Sequence, residues 1–306
     1  MIMVIKIIAH GDNMKSLALL SLLLPILSAP AHAGEGLFSR AYTTETVPGG
    51  HFELEQTARL RTQRAFGSYT AIDSKSEFEY GITDALQGAL YVNSGYVHAV
   101  KASDDNDQQG ETGFDRNQYS LDSITMEFLY RALSPVSDPI GLAFYIEPGY
   151  IFHDFHNGDK EYNGFENEMR VIFQKNFFED QLILVYNLVA EFEFFRYKPK
   201  DALFTGEFDF NNEIGASYRV GSNLYAGLEA RNHNEFGNFW SHDHSLVWVG
   251  PAIHYGGPKW WGTLGVLKQI YGNPNGPDGQ GSFQGNHLFL HSHEEWEITA
   301  KIGFPF

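Results

Sequence analysis

The chain is 306 residues long, contains no cysteine and carries a formal charge of −17. Disulfides and thiolate chemistry are therefore excluded, and so negative a balance argues against nucleic acid as a partner. With 15% aromatic residues and a mean hydropathy of −0.28, it offers much apolar surface, yet no run after residue 33 is long and apolar enough for a membrane helix.

Residues 1–13 (MIMVIKIIAHGDN) precede a second methionine, Met14, and read as an upstream start extension. Lys15, the apolar run from Leu17 to Leu27 and Ala31-His32-Ala33 follow in the order of a secretory signal peptide. Its apolar run, about eleven residues, is short of the ~20 that a spanning helix needs. Residues 1–33 are thus expected to be removed after Ala33, which takes the charge from −17 to −18 because Lys6 and Lys15 leave with Asp12. Residues 34–50 are expected to form a periplasmic lead-in that ends in the turn Val47-Pro48-Gly49-Gly50.

From residue 51 onward apolar and polar residues alternate with the period of a strand. In 51–61, Phe52, Leu54, Ala58 and Leu60 oppose Glu53, Glu55, Thr57, Arg59 and Arg61. In 72–80, Phe78 and Tyr80 oppose Asp73, Lys75, Glu77 and Glu79, and 86–97 follows with Leu86, Leu90, Val92 and Tyr96 in phase. Ile124, Met126, Phe128 and Tyr130 stand against Thr125, Glu127 and Arg131, and Ile140, Leu142, Phe144, Ile146 and Tyr150 make the next face. Phe165, Met169, Val171 and Phe173 then oppose Glu166, Glu168 and Arg170. Residues 182–194 set seven apolar positions against Asn187, Glu191 and Glu193, and 207–218 set Phe208, Phe210, Ile214, Ala216 and Tyr218 against Glu207, Asp209, Asn211 and Glu213. Segments near 223–231, 245–255 and 259–270 precede the last, EEWEITAKIGFPF, in which Trp296, Ile298, Ala300, Ile302, Phe304 and Phe306 share a face. Two resist the scheme: 245–255 is apolar in both phases, and Lys268 shares the face of Leu264 and Val266.

About twelve such segments, each close to the 9–11 residues of a tilted membrane strand, predict an all-β fold: an antiparallel up-and-down transmembrane β-barrel over 51–306. Short connectors near 81–85, 132–138, 175–181, 219–222 and 256–258 alternate with long polar ones near 62–71, 98–116, 153–163, 196–206, 232–244 and 271–292. That sorting of turns and loops is the habit of outer-membrane barrels, and a Greek-key sandwich has no reason for it. Arg or Lys on the lipid side costs about 2–4 kcal/mol near the midplane, which explains why charges collect on one phase.

Two stretches, GEGLFSRAYTTETVPGGHFELEQ (34–56) and SYTAIDSKSEFEYGITDALQGALYVN (68–93), resemble an uncharacterised family of Gram-negative outer-membrane barrels labelled as transporters or porins. The C-terminal strand with Trp296, Ile298, Ile302, Phe304 and Phe306 resembles the aromatic signal that outer-membrane assembly machinery recognises. The resemblance implies a cell outer-membrane location with both termini periplasmic, and contact with outer-membrane lipid and lipopolysaccharide. It carries over no functional residue.

The inward phase collects Glu53, Glu55, Arg59, Arg61, Lys75, Glu77, Glu79, Glu127, Arg131, Glu168, Arg170, Glu191, Glu193, Asp209, Glu213, Glu229, Arg231, Glu295, Glu297 and Lys301. Two readings stand side by side. Carboxylates lining a wet pore favour cations, whereas the same groups paired across a narrow barrel would plug it. The function expected is passive passage of a small-molecule solute, with cation preference; the alternative is a plugged structural or surface-binding barrel. Neither a cofactor nor a resident metal is expected. His153, His156, His233, His242, His244, His287, His291 and His293 read as solvated loop residues for want of a fixed carboxylate among them. The run 104–107 with Gly110 lacks the Glu of a calcium loop, finding Arg116 in its place. Trp240, Trp248, Trp260 and Trp261 suit interfacial girdles. A lipid hydrolase would need a Ser held by a His on the outer rim, and no His-x-Ser lies on a strand, so the protein is not expected to be an enzyme.

Overall fold

The alternation becomes, in a computed structural model, a closed ring of twelve antiparallel strands. The structure describes residues 35–103, 113–153, 156, 162–197, 205–275 and 287–306. Residues 1–33 with the cleavage site, the run 104–107 with Gly110, and 276–286 of the connector 271–292 lie outside them.

The strands are β1 (Phe52–Thr62), β2 (Ser68–Thr83), β3 (Leu86–Ala102), β4 (Phe114–Leu133), β5 (Gly141–Ile151), β6 (Tyr162–Phe177), β7 (Leu182–Tyr197), β8 (Thr205–Arg219), β9 (Leu224–Gly237), β10 (Ser241–Gly256), β11 (Trp261–Pro274) and β12 (Trp296–Pro305). Each pairs with its neighbours in sequence, and β1 closes the ring on β12 from Glu53 opposite Pro305 to Thr62 opposite Trp296. Phe52 and Phe306 seal the joint with two backbone hydrogen bonds of 2.9 Å, so the wall has no open edge there. Among the described residues the only helix is a 3-10 turn at Glu35–Leu37, and no helix is long and apolar enough to cross a membrane.

The two faces are inverted relative to a protein dissolved in water. Leu228 is 62% exposed while its neighbour Glu229 is 3% exposed, and Phe304 and Lys301 show the same contrast. Exposed apolar and buried charged side chains on one strand make sense only with hydrocarbon outside and polar groups within. The two doubtful segments keep the alternation but depart from the rule locally. In β10 the inward set is His244, Leu246, Trp248, Ala252 and His254, and both phases look apolar because Trp248 packs inside with Leu246, Leu267 and Phe289. Lys268 faces outward, its Nζ 3.1 Å from Glu295 and 4.9 Å over the Trp296 ring. It reaches the end of the apolar band as a long cationic side chain can.

Three expectations need correction. First, turns and loops do not alternate strictly in length. The turn end holds 84–85, 134–140, 178–181, 220–223 and 257–260, but the loop end includes the tight hairpins 63–67 and 238–240 beside longer connectors. The polar stretches 68–71, 232–237 and 241–244 continue as strand because backbone groups still need partners where hydrocarbon, and with it the apolar period, has ended. Second, Trp248 and Trp261 point inward at 0% and 3% exposure, leaving Trp240 and Trp260 exposed.

Third, residues 36–47 do not stand clear of the barrel but run inside it as a belt. Leu37, Phe38 and Ala41 pack on Ile183, Val185 and Tyr225, and Tyr42 packs on Leu129, Ala143, Tyr145 and Ile172. Strand glycines make room: a Cβ at Gly215 would lie 2.6 Å from the Phe38 ring, and one at Gly265 would overlap Ser39 Cβ.

Candidate functional site: the barrel interior

A segment that crosses a barrel without joining its sheet must find partners for its backbone elsewhere. The wall supplies them from side chains. Glu229 on β9 accepts from the backbone N–H groups of Ser39 (2.7 Å), Arg40 (2.9 Å) and Ala41 (3.4 Å). Asn187 on β7 accepts from Tyr42 N–H at 2.6 Å and donates to its carbonyl at 3.0 Å. Gln174 takes the Thr44 N–H at 2.8 Å, Gln87 takes that of Val47 at 2.7 Å, and the Thr263 hydroxyl donates to the Gly36 carbonyl. Two belt charges are paired as well, Arg40 with Glu297 at 3.2 Å and Glu45 with Arg131 at 3.3 Å.

Most of the charged positions singled out in the sequence do face inward, and many are committed to structure. Glu53 accepts from Trp261 Nε1 at 2.6 Å, Glu55 lies 3.5 Å from Lys301, and Glu127 accepts from Gln87 at 2.9 Å. Glu77 and Glu79 are buried beside Glu55, Lys75 stands between Glu77 (3.9 Å) and Glu147 (3.5 Å), and Arg59 reaches Thr299 at 3.3 Å. Arg170 joins Glu168 (2.6 Å) to Glu213 (2.7 Å), and Arg231 joins Glu213 (4.0 Å) to Glu297 (3.5 Å). Glu295 differs: it turns outward to Lys268, because it precedes β12 and the strand period does not reach it.

The remaining charges divide the lumen. On the β1 and β12 side Arg61 lies 2.8 Å from Asp73 and 3.6 Å from Glu294, and Arg64 binds Glu294 at 2.8 Å. Six places away in the ring of twelve, the opposite wall is acidic. Glu147, Glu168, Glu191, Asp209 and Glu235 are directly opposed across β5 to β9, and Glu166, Glu193 and Glu207 form a second row beside them. All eight are part-exposed, and Glu166, Glu191 and Glu193 make no ion pair among the described residues. Like charges directly opposed across strands destabilise a sheet unless water or cations lie between them. Glu147, Glu166 and Glu207 were legible from the period; Glu235 was not, since the apolar period ends before it, and neither were Arg40, Arg64 and Glu294, which sit off the strands.

Several loop-end histidines are not solvated, although His287 is exposed. The β9–β10 hairpin and the segment 287–295, which folds back against the wall, bury His233 (4% exposed), His244 (3%) and His291 (7%). His156 binds Asp73 at 2.8 Å. His233, His244 and His293 converge with Glu235, their ligand-type atoms all within 4.8 Å of one another. Burial first, then Arg64, Arg231 and Arg61, hold the His293 imidazole well below its ordinary range. On the outward face His242 Nε2 meets Ser245 Oγ at 2.8 Å, a pair with two residues between instead of one. The hydroxyl donates to Asn234 Oδ1 at 2.7 Å, so its proton is not directed to the imidazole.

The fold is shared with solved outer-membrane proteins. An outer-membrane channel described as COG4313, from Pseudomonas putida F1, aligns at TM-score 0.55 and 10% identity over 86% of this chain and 98% of that one. The translocator domain of the autotransporter NalP from Neisseria meningitidis gives 0.47 at 11% identity over 84% and 88%, and the NanC porin 0.44 at 7% over 82% and 97%. At such identities the likeness is one of fold alone. No curated protein matches the sequence significantly. The sequence model of a family of unknown function, DUF6662, matches residues 30–306.

Proposed function

The chain belongs to the DUF6662 family, a family of unknown function, and on that footing we propose that it is an outer-membrane channel passing small solutes with a preference for cations. One observation carries the reading: the opposed, part-exposed carboxylates on β5 to β9, facing arginines on β1. Such a wall raises the local concentration of cations, and arginines across from it set a transverse field that orients polar solutes. The belt narrows the turn end and the returning segment narrows the loop end, so passage is restricted to small molecules. In this reading residues 1–33 are removed, both termini face the periplasm, the apolar band contacts outer-membrane lipid and lipopolysaccharide, and β12 is read by the assembly machinery. No bond needs to be made or broken.

A second reading, a plugged barrel without transport, is favoured by the belt's hydrogen bonds to four strands through Glu229, Asn187, Gln174 and Gln87. Planar-bilayer recording of the refolded mature chain separates the two. Discrete conductance steps with a cation-selective reversal potential across a salt gradient are expected. Silence from a protein that keeps its β-type circular dichroism would overturn the channel and leave the plugged barrel.

A further inference from the structure

We propose that His233, His244, His293 and Glu235 form a binding site for one divalent transition-metal ion of the zinc class at the loop end of the barrel interior. The site stands whether or not the lumen conducts. Its residues are assembled by separate devices. The period of β9 puts His233 and Glu235 on one face, and register sets His244 of β10 directly opposite Glu235. His293 arrives from the returning segment, which is held in place by Trp248 Nε1 donating to the Glu294 carbonyl at 3.1 Å and by Gln269 paired with Phe289.

Glu235 Oε2 lies 3.2 Å from His244 Nε2, 3.8 Å from His233 Nε2 and 3.9 Å from His293 Nε2. His244 Nε2 and His293 Nε2 are 2.7 Å apart. Four donors converging this closely need only small side-chain rotations to reach one ion at the ~2.0–2.2 Å typical of zinc.

Two features go beyond a chance gathering of histidines. The Asn211 Oδ1 lies 2.8 Å from His233 Nδ1, which places the ring proton on Nδ1 and leaves the Nε2 lone pair facing the cluster. That Nε2 is buried and has no hydrogen-bond partner among the described residues, on a residue 4% exposed. A histidine serving only to pack the loop would have both nitrogens satisfied; one held as a metal ligand keeps one nitrogen free of protein partners. The donor set also selects the ion. Three imidazoles and one carboxylate suit zinc and its neighbours in the first transition row, while magnesium and calcium prefer all-oxygen shells. Glu207 and Asp209 gather with Glu235, adding negative charge against nearby Arg231.

The test is calorimetric titration of zinc chloride, and separately magnesium chloride, into the untagged, refolded full mature chain. One zinc per chain at micromolar affinity or tighter is expected, with no magnesium binding at millimolar concentration. His233→Ala and Glu235→Gln should each weaken zinc at least tenfold, and Asn211→Ala, which only orients a ligand, about tenfold. Cobalt(II) on the wild type gives a readout that needs no variant. Strong visible d–d absorption, displaced by zinc, is the mark of four-coordinate nitrogen and oxygen ligation. Absence of saturable zinc binding by the folded wild type overturns the site. So does binding that survives His233→Ala and Glu235→Gln unchanged, which would mean an adventitious ion only.

Discussion

The two halves of the lumen use the same side chain for opposite ends. In the turn half each glutamate is spoken for: Glu229 holds three backbone N–H groups of the belt, Glu53 takes an indole N–H, and Glu55 pairs with Lys301. In the loop half Glu191 faces Asp209 on one side and Glu168 on the other, with repulsion across every rung. The first arrangement trades charge for structure and seats the belt. The second keeps charge available to whatever enters. A glutamate's worth therefore depends on its partner, not on its burial alone.

The largest effect expected from breaking that contrast is at Glu229. Glu229→Ala strips acceptors from buried backbone donors and should cost about 3 kcal/mol, since each orphaned group loses roughly 1–3. Urea unfolding of the refolded barrel measures it, and conductance together with protease cleavage near residue 40 should rise as the belt leaves its seat. Unchanged conductance would mean that the belt does not close the passage. Next comes Gly265→Val, whose new side chain invades Ser39; overpacking of that kind costs about 1–3 kcal/mol and should release the same belt without touching a charge.

On the acidic wall the sign reverses. Glu166→Gln, Glu191→Gln and Glu193→Gln combined should leave stability unchanged or raise it by about 1 kcal/mol, as relief of opposed like charges predicts. The reversal potential should meanwhile move most of the way to zero. Loss of stability with selectivity intact would put the wall in the structural class with Glu229. Smallest is Lys268→Ala: the pair with Glu295 is part-exposed, so a change within about 0.5 kcal/mol is expected in the same unfolding assay.

The barrel could be read from the chain because strand geometry alternates faces residue by residue, and hydrocarbon tolerates few errors on one of them. Leu54 between Glu53 and Glu55 already says which way each side chain points. The period stops short of His233 and Glu235, which only the continued pairing of β9 puts on one face, and it is silent about His293, which lies in no strand and meets them only because 287–295 folds back. His242 and Ser245 likewise escaped a search for His-x-Ser, since the bulge between His242 and His244 brings a residue three positions away onto the same face.

Composition and period by themselves determined that this protein is a closed twelve-strand barrel with acidic residues inside and apolar residues outside. Those are one-dimensional consequences of a two-residue repeat facing two solvents. Only the tertiary structure decided which glutamates anchor the belt, which stand opposed and which joins three histidines. Each of those roles depends on a partner far away in the chain, such as Ser39 for Glu229 or His293 for Glu235. No local pattern carries that separation, because it is set by ring closure, strand register and the path of two segments through the lumen.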